Sequence, residues 1–281
     1  MEYHRPIRDV TVLNDHAEIP GIGVLPVNAF VLHAEQPMVI DTGLGTPDKH
    51  FLDDLATVID PADVRWIYLT HPDRDHTGGL FDLLDAAPEA RIVTTFFSVG
   101  IMSSESPLPL ERLYLLNPGQ SFHLGDRRIS AFRPPVYDSP ATTGFLDEST
   151  GACFVSDCFG APLASVEMAT ADEVGAIDDD ELRAAQLLWS SVDSPWVQSV
   201  SPATFGRALD PLRLMDPELV LSSHLPPAAG RISELLDTLA MATSGTPFLG
   251  PDQQALEAML AAFAPGPPAQ RVGDEAAHTV R

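Results

Sequence analysis

Cysteine is almost absent from this sequence, which has two, Cys153 and Cys158, in 281 residues. Two thiols five positions apart make no disulfide framework, and such scarcity is typical of proteins that fold in a reducing compartment. Metal ligands or a redox pair are one interpretation of these thiols. We favour a simpler one, in which both are small buried residues, one on a strand and one just past it.

Basic residues and long apolar runs are scarce as well. The chain has 16 Lys and Arg residues against 40 Asp and Glu residues, which gives a formal net charge of −24. This acidity argues against nucleic acid and against an anionic membrane surface as partners. No apolar run approaches the ~20 residues of a membrane span, and the opening MEYHRPIRDV lacks the apolar core of a signal peptide. We therefore expect a cytoplasmic protein with no membrane partner.

The hydrophobic content of 44% is enough for a sizeable core. Strand-like and helix-like segments alternate up to residue 94, an order that is typical of layered α/β folds. Near the amino end the pattern predicts a strand over residues 10–13, followed by a Pro- and Gly-rich stretch. We predict one domain over residues 1–264 and a disordered tail, poor in apolar residues, over residues 265–281.

The chemistry is concentrated in residues 69–79, LTHPDRDHTGG, which follow an apolar run that predicts a buried strand. This loop carries His71, Asp73, Asp75 and His76. A polar turn that caps a helix is the alternative interpretation, but capping requires only a single Asp or Ser. Two imidazoles and two carboxylates so close together indicate a metal site, with His71 and Asp73 for one ion and the other pair for a second.

Three further polar residues follow apolar strands elsewhere in the chain. Asp41 follows residues 38–40, Asp157 follows the run CFVS, and His224 follows the run LVLSS. Each alone has an ordinary structural interpretation, as a turn residue or as a satisfied histidine. Because open α/β sheets place their sites at the carboxyl ends of strands, we expect them near the loop. Asp157 would bridge two ions, His224 would bind one, and Asp41 would hold the loop in place.

Together these residues resemble the metallo-β-lactamase superfamily. Its hallmark is a His-x-His-x-Asp-His loop after a strand, with a preceding Asp-Thr-Gly and with later His, Asp and His ligands. Here Asp-Thr-Gly lies at residues 41–43, the loop lies at residues 71–76, and the similarity covers about residues 5–245. The resemblance implies an α/β fold, a four-layer αβ/βα metallo-β-lactamase sandwich, with a binuclear metal site on its edge.

An acid, Asp73, stands where the second histidine of that loop would be. The loop is thereby similar to the His-x-Glu-x-Asp-His loop of the flavodiiron proteins and of stand-alone oxygen-binding di-iron proteins. The run FLDESTGACFVSDCFGA also resembles the hairpin of that branch, which ends in a bridging Asp. A carboxylate in place of an imidazole makes the site harder and more anionic, which suits iron better than zinc. The resemblance implies two metal ions, for which iron is the favoured metal and zinc and manganese are the alternatives.

That branch has one more histidine between the loop and the bridging Asp. The matching segment here, PPVYDSPATTGF, has Tyr137 at the corresponding position and Asp138 after it. Tyr137 is a candidate ligand or catalytic group and Asp138 is the other candidate ligand, although a strand-end aromatic is the favoured interpretation of Tyr137. If neither residue binds, one ion has only His71, Asp73 and the bridging Asp157, and a mononuclear site is an alternative.

The resemblance to that branch implies a non-haem di-iron protein that binds or reduces a small diatomic gas, dioxygen or nitric oxide. One iron would be held by His71, Asp73 and Asp157, and the other by Asp75, His76, Asp157 and His224. The alternatives are a hydrolase in which a metal-bound hydroxide is the nucleophile and Asp75 orients it, and a metal-poor sensor or scaffold. We expect no flavodoxin-like domain after residue 265, so that electrons would come from an external donor protein. The resemblance also leaves a homodimer open.

Overall fold

The computed structural model describes residues 2–263, whose strands form two sheets. The first sheet has seven strands, which lie side by side in chain order: β1 (Glu2–Ile7), β2 (Val10–Ile19), β3 (Gly23–Leu32), β4 (Met38–Ile40), β5 (Trp66–Tyr68), β6 (Arg91–Thr94) and β7 (Leu113–Leu115). The second sheet has six strands, and strands adjacent in sequence are again neighbours: β8 (Ser121–His123), β9 (Arg128–Phe132), β10 (Gly144–Asp147), β11 (Ala152–Phe154), β12 (Leu219–Leu221) and β13 (Ala228–Ala229).

Helices follow or connect these strands: α1 (Phe51–Ala56), α2 (Arg74–Thr77), α3 (Leu80–Ala86), α4 (Phe96–Met102), α5 (Val166–Ala169), α6 (Asp179–Asp193), α7 (Pro202–Met215), α8 (Ile232–Ala240) and α9 (Gln253–Phe263). Short 3-10 turns cover Pro61–Asp63, Leu110–Arg112, Val174–Ala176, Pro195–Ser199 and Met241–Ser244. The two longest helices begin at polar caps. The Asp178 side chain accepts hydrogen bonds from two amides of α6, and the Ser201 side chain accepts one from Thr204 in α7.

Three apolar clusters show how the layers stack. One joins the outer face of the first sheet to α1 and α3, one fills the space between the sheets, and one joins the second sheet to α6, α7 and α8. Representative members of the three clusters, in that order, are Ile67, Leu55 and Leu83; Phe30, Tyr68 and Phe154; and Cys153, Leu209 and Leu236. Neighbouring residues of one strand reach different clusters because side chains alternate across a sheet. The predicted four-layer αβ/βα sandwich is confirmed.

Parallel pairing brings the carboxyl ends of several strands together. Strands β4 to β7 are parallel to one another in the first sheet, and β11 is parallel to β12 in the second. Asn28 of β3 links the two sheets at this edge. Its backbone N donates to Ser223 O at 2.8 Å, and its side-chain Nδ2 donates to Leu225 O at 2.8 Å. The segments after β4, β5, β11 and β12 therefore lie close to one another.

The amino-terminal strands are longer than the sequence pattern predicts. The predicted strand over residues 10–13 is part of β2, and its ladder with β3 runs from the pair Val10 and Leu32 to the pair Ile19 and Gly23. The Pro- and Gly-rich stretch is thus the hairpin itself. Gly21, at φ +77°, supplies the left-handed position in its turn. Ladder pairing over ten residues outweighs the weak strand propensity of this stretch.

Both cysteines are buried and unpaired. Cys153 on β11 is 0% exposed and Cys158 just past it is 1% exposed. Burial raises the pKa of both thiols above the ordinary value. Within residues 2–263, the side-chain groups suited to a metal ion contain no cysteine. The interpretation of both residues as small buried side chains is confirmed.

Contacts between residues divide the chain after Pro247. The unit up to Pro247 contains both sheets and helices α1 to α8, and the unit from Phe248 contains α9. The predicted domain boundary at residue 264 stays a prediction, and the predicted disordered tail over residues 265–281 lies outside the described residues.

No helix in the described part of the chain is both long enough and apolar enough to cross a membrane.

Candidate metal centre

Asp157 lies at the point where the strand ends converge. It follows β11, is 4% exposed, and faces three histidines with its two carboxylate oxygens. Its Oδ1 lies 3.1 Å from His76 Nε2 and 3.3 Å from His224 Nε2. Its Oδ2 lies 3.4 Å from His71 Nε2. A carboxylate shared by two ions would have to occupy this position.

We call Asp75, His76 and His224, together with Asp157, the His76 half of the centre. Asp75 and His76 lie in the short helix α2 after β5, and His224 follows β12. Asp75 Oδ2 lies 3.6 Å from His76 Nε2 and 3.4 Å from His224 Nε2. Asp75, His76 and His224 each offer a donor atom within 4.8 Å of the other two. The second ion predicted from the sequence therefore has its four candidate ligands around one point.

We call His71, Asp73 and Asp138, together with Asp157, the His71 half. His71 Nε2 lies 3.9 Å from Asp73 Oδ2 and 3.8 Å from Asp138 Oδ1. Asp138 belongs to the loop after β9, and its oxygen joins a group with His71 and Asp73 whose donor atoms lie within 4.8 Å of one another. Of the two candidates left open at this place, Asp138 is the one that faces His71.

Tyr137 has other neighbours. Its ring lies 5.1 Å from the Trp196 ring, and the Arg133 guanidinium lies over it at 5.1 Å. Trp196 Nε1 also donates a hydrogen bond to the Tyr137 carbonyl at 2.8 Å. These contacts agree with the favoured interpretation of Tyr137 as a strand-end aromatic, and its catalytic role stays a prediction.

Hydrogen bonds fix which nitrogen of His76 and of His224 points into the centre. His224 Nδ1 lies 2.7 Å from Pro26 O, and a carbonyl only accepts, so Nδ1 carries a proton. His76 Nδ1 lies 2.8 Å from Asp41 Oδ2 and donates to that carboxylate in the same way. Both rings therefore turn Nε2 toward the centre, with its lone pair free when the ring is neutral. This is the holding role predicted for Asp41.

A chain of hydroxyl groups orients His71. Its Nδ1 lies 3.1 Å from Ser156 Oγ, which donates to Thr70 Oγ1 at 3.0 Å, which in turn donates to Asp41 Oδ2 at 2.8 Å. Because Ser156 gives its proton to Thr70, its oxygen accepts from His71 Nδ1. This chain of hydrogen bonds ends at the Asp41 carboxylate, which is 0% exposed. Because His76 donates to the same carboxylate, one buried acid orients a ring in each half of the centre.

The residues present fit a pair of metal ions. His71 Nε2 and His76 Nε2 are buried and have no hydrogen-bond partner, which is costly unless another group binds them. Consider two ligand atoms that each lie ~2.1 Å from the same metal ion. They are about 3.0 Å apart when the ligand–metal–ligand angle is 90° and about 4.2 Å apart when they lie on opposite sides of the ion. The donor distances of 3.1 to 3.9 Å within each half lie in that range.

The carboxylates and histidines of the centre shift the pKa values of one another. Burial raises the pKa of Asp157, but His71, His76 and His224 outweigh it and hold that pKa well below its ordinary value. Burial lowers the pKa of His224, yet Asp157 and Asp75 raise it overall to about 9. The pKa of His76 is raised well above its ordinary value in the same way, because three carboxylates outweigh burial. Carboxylates that favour protons on these rings also favour metal cations, which displace those protons on binding.

Backbone packing holds the ligand loop against the segment after β4. Gly78 N donates to Gly43 O at 3.0 Å and Gly79 N donates to Thr42 O at 3.0 Å. A side chain at Gly78 would overlap the backbone of Leu44 and Gly45. The third residue of Asp-Thr-Gly and the glycines after His76 therefore form one close contact, which keeps Asp41 within reach of the His76 ring.

The variant Gly78→Ala should lower the free energy of unfolding by about 3 kcal/mol, because the new methyl group meets backbone and cannot be relieved by a side-chain rotation. Thermal unfolding measured by circular dichroism tests this. The matched control is Gly206→Ala in α7, where an added methyl group meets nothing within 4 Å. That control should stabilise the chain by about 0.5–1 kcal/mol. Equal effects of the two variants would contradict the packing argument.

Sequence reasoning missed one acid beside the centre. Asp193 is the last residue of α6, and it offers an oxygen within 4.8 Å of oxygens of Asp138 and Asp157. Burial and, next, the charge of Asp157 raise the pKa of Asp193 to about 7. The sequence carries no local signal for this residue, because it ends an acid-rich helix and follows no strand.

Sequence comparison relates this chain to known proteins. Residues 22–96, which include β3 to β6 and the ligand loop, match the model of the metallo-beta-lactamase superfamily. The anaerobic nitric oxide reductase flavorubredoxin of Salmonella typhi is 24% identical over 177 residues, which is 62% of this chain and 36% of that protein. The chain spans 23% to 36% of the length of the first curated relatives that it matches.

Solved structures give the same fold. The rubredoxin oxygen:oxidoreductase of Desulfovibrio gigas matches with a TM-score of 0.70 and 19% identity, over 86% of this chain and 60% of that one. The flavodiiron protein of Giardia intestinalis matches with a TM-score of 0.74 and 15% identity, over 86% of this chain and 59% of that one. The metallo-β-lactamase fold is confirmed, as is the resemblance to flavodiiron proteins over its core.

Proposed function

We propose, from a metallo-β-lactamase fold whose relatives are flavodiiron proteins, that this chain is a non-haem di-iron protein that binds or reduces dioxygen or nitric oxide. One observation carries the proposal. Asp157 is buried between three histidine Nε2 atoms at 3.1 to 3.4 Å, and a carboxylate stands in the loop position where a second histidine would favour zinc.

The donor set supports iron over zinc. Structural and catalytic zinc sites are mostly four-coordinate and rich in imidazole or thiolate. Here the two halves together contain three imidazoles, and carboxylates supply the other candidate ligands. No thiolate takes part within the described residues. Iron accepts such mixed nitrogen and oxygen sets and keeps open positions on them. When bound, a pair of irons would supply the electrons or the binding positions that a diatomic gas requires.

The relatives support the choice of substrate. Nitric oxide reduction and oxygen reduction are named for the matched proteins of Salmonella typhi and Desulfovibrio gigas. Because this chain spans only a part of those proteins, their whole activity comes to it only as a proposal. We propose that electrons reach the centre from an external donor protein.

Metal analysis and gas uptake test the proposal. The chain, purified without a tag after growth in iron-supplemented medium, should hold about two irons. After anaerobic reduction with dithionite and removal of the excess, the iron-loaded chain should consume dissolved dioxygen or nitric oxide in a gas-electrode cell. The metal-free chain is the control and should consume neither gas above the buffer rate.

Two results would overturn the proposal. Two zinc ions per chain with turnover of a chromogenic ester or lactam would favour the hydrolase alternative. Metal well below one ion per chain after iron-supplemented growth would favour a metal-poor scaffold.

A further inference from the structure

His71 is the only imidazole in its half of the centre among the described residues, and it is fully buried. The residue is 0% exposed, and its Nε2 has no hydrogen-bond partner. This nitrogen lies 3.4 to 3.9 Å from carboxylate oxygens of Asp73, Asp138 and Asp157. An unpartnered buried nitrogen that faces several carboxylates requires a cation or a proton between them. The His71 half is therefore a cation site in which oxygen donors dominate.

Asp193 brings a further carboxylate beside Asp138 and Asp157 from a different layer. It reaches the centre from the carboxyl end of α6, which packs outside the second sheet. Ser194 Oγ donates to Asp193 Oδ2 at 2.8 Å and so fixes the orientation of the carboxylate. Oxygens of Asp138, Asp157 and Asp193 lie within 4.8 Å of one another. Three carboxylates at such distances repel one another unless a cation lies between them.

The two halves consequently offer different chemistry. The His76 half has two imidazoles and the carboxylates of Asp75 and Asp157. The His71 half has one imidazole and the carboxylates of Asp73, Asp138 and Asp157, and Asp193 lies beside the last two. Imidazole-rich sets suit iron and zinc, whereas carboxylate-rich sets suit manganese and magnesium as well.

We propose that Asp193 is a metal ligand, and that with Asp138 it makes the His71 half a carboxylate-rich site that takes Mn²⁺ in competition with iron, while the His76 half keeps iron. This assignment rests on the proposed function in requiring a binuclear centre, and it adds a ligand and a difference in metal preference between the halves. With iron alone both halves hold iron, and with both metals present the centre is mixed.

Competition between the two metals tests the assignment. The metal-free chain is loaded anaerobically with Mn²⁺ in about tenfold excess over Fe²⁺, each at more than two ions per chain, because a given site generally binds iron more tightly than manganese. It is then passed through a desalting column and analysed for both metals by mass spectrometry. We expect about one manganese and about one iron per chain. Anomalous diffraction at the manganese edge should place the manganese beside His71. Two irons without manganese, or manganese spread over both halves, would overturn the assignment.

Variants separate the ligand role of Asp193 from a structural one. Asp193→Asn should lower manganese uptake about tenfold or more while iron stays near one per chain. Asp138→His, which returns an imidazole to this half, should also lower manganese uptake but raise iron to about two per chain. Asp179→Asn, at the exposed first turn of the same helix, is the matched control and should load like the parent chain.

The outcomes also separate this inference from the proposed function. Unchanged manganese uptake in Asp193→Asn, with thermal unfolding like that of the parent, would remove Asp193 from the ligand set. A chain that loads both metals as expected but consumes no gas would overturn the proposed function alone. A chain that binds neither metal in either half would overturn both.

Discussion

The variant Asp157→Ala should lose both metal ions. In the parent chain, Asp157 Oδ1 faces His76 and His224, and Asp157 Oδ2 faces His71. Each half of the centre therefore loses a carboxylate in the variant. Removal of the shared anion also leaves three buried imidazoles facing one another without the group that separates them, which disfavours two adjacent dications. We expect the metal content to fall from about two ions per chain to less than about 0.2.

A conservative variant and a distant control accompany this experiment. Asp157→Asn keeps the size of the side chain and one accepting oxygen, so it should retain the fold and still lose at least one ion. His123→Ala lies on the exposed side of β8, outside the centre, and should leave the metal content unchanged. Metal per chain by mass spectrometry and thermal unfolding by circular dichroism are measured for all variants.

The result that contradicts the bridging geometry is specific. If Asp157→Ala loses one ion and keeps the other at full occupancy, Asp157 serves a single half. Asp157 would then serve the half that has lost its ion. Added to Asp157→Ala, Asp75→Asn should remove the remaining ion if it lies in the His76 half, and Asp73→Asn should remove it if it lies in the His71 half.

The sequence predicted those parts of the centre that stand next to strands. Asp41, Asp157 and His224 each follow a short apolar strand, and the ligand loop follows β5. Local composition marks both the strand and the polar residue after it. Parallel pairing brings the residues of each sheet to its edge. The packing of the two sheets then brings the two edges together.

The remaining parts depend on packing that local composition does not encode. Asp193 reaches the centre because α6 packs across the second sheet, and a helix end gives no sign of which strand end lies beneath it. Tyr137 and Asp138 are adjacent residues of a loop that has neither the strand nor the helix pattern of apolar residues. The sequence therefore does not show which of the two faces the centre. Only the contacts of Tyr137 with Trp196 and of Asp138 with His71 decide between them.

Two backbone positions were also beyond sequence reasoning. Asp41 at φ +54° and Ser156 at φ +55° lie in the left-handed region, which costs an ordinary residue about 1–2 kcal/mol. Each stands next to the residues it orients, Asp41 under His76 and Ser156 under His71. The sequence predicted the holding role of Asp41, but not the shared network through which it reaches both rings.

This network makes Asp41 the second position with a large expected effect. Its carboxylate accepts hydrogen bonds from Thr70 N, Thr70 Oγ1 and His76 Nδ1, each at 2.8 Å, and from Ser223 Oγ at 3.3 Å. Asp41→Ala leaves these buried donors without an acceptor. We expect the free energy of unfolding of the metal-free chain to fall by about 3–5 kcal/mol, measured by urea unfolding.

The milder variant Asp41→Asn isolates the effect on the metal centre. Asparagine tolerates the left-handed backbone and keeps one accepting oxygen, but its amide N–H groups oppose the donors of Thr70 and His76. The His76 ring then loses the partner that fixes its Nδ1 proton and its orientation. We expect iron to bind the His76 half about 10–100-fold more weakly, measured by competition with a chelator of known affinity.

A second buried carboxylate provides the matched control. Asp147 is 0% exposed and accepts hydrogen bonds from Arg127, Ser149 and Thr150 at the end of β10. Asp147→Asn should destabilise the chain to a similar extent without a change in iron affinity, because none of these partners orients a ligand. If both variants weaken iron binding equally, the effect of Asp41 arises from general destabilisation. A loss confined to Asp41→Asn shows instead that one buried acid sets the orientation of the metal-facing rings.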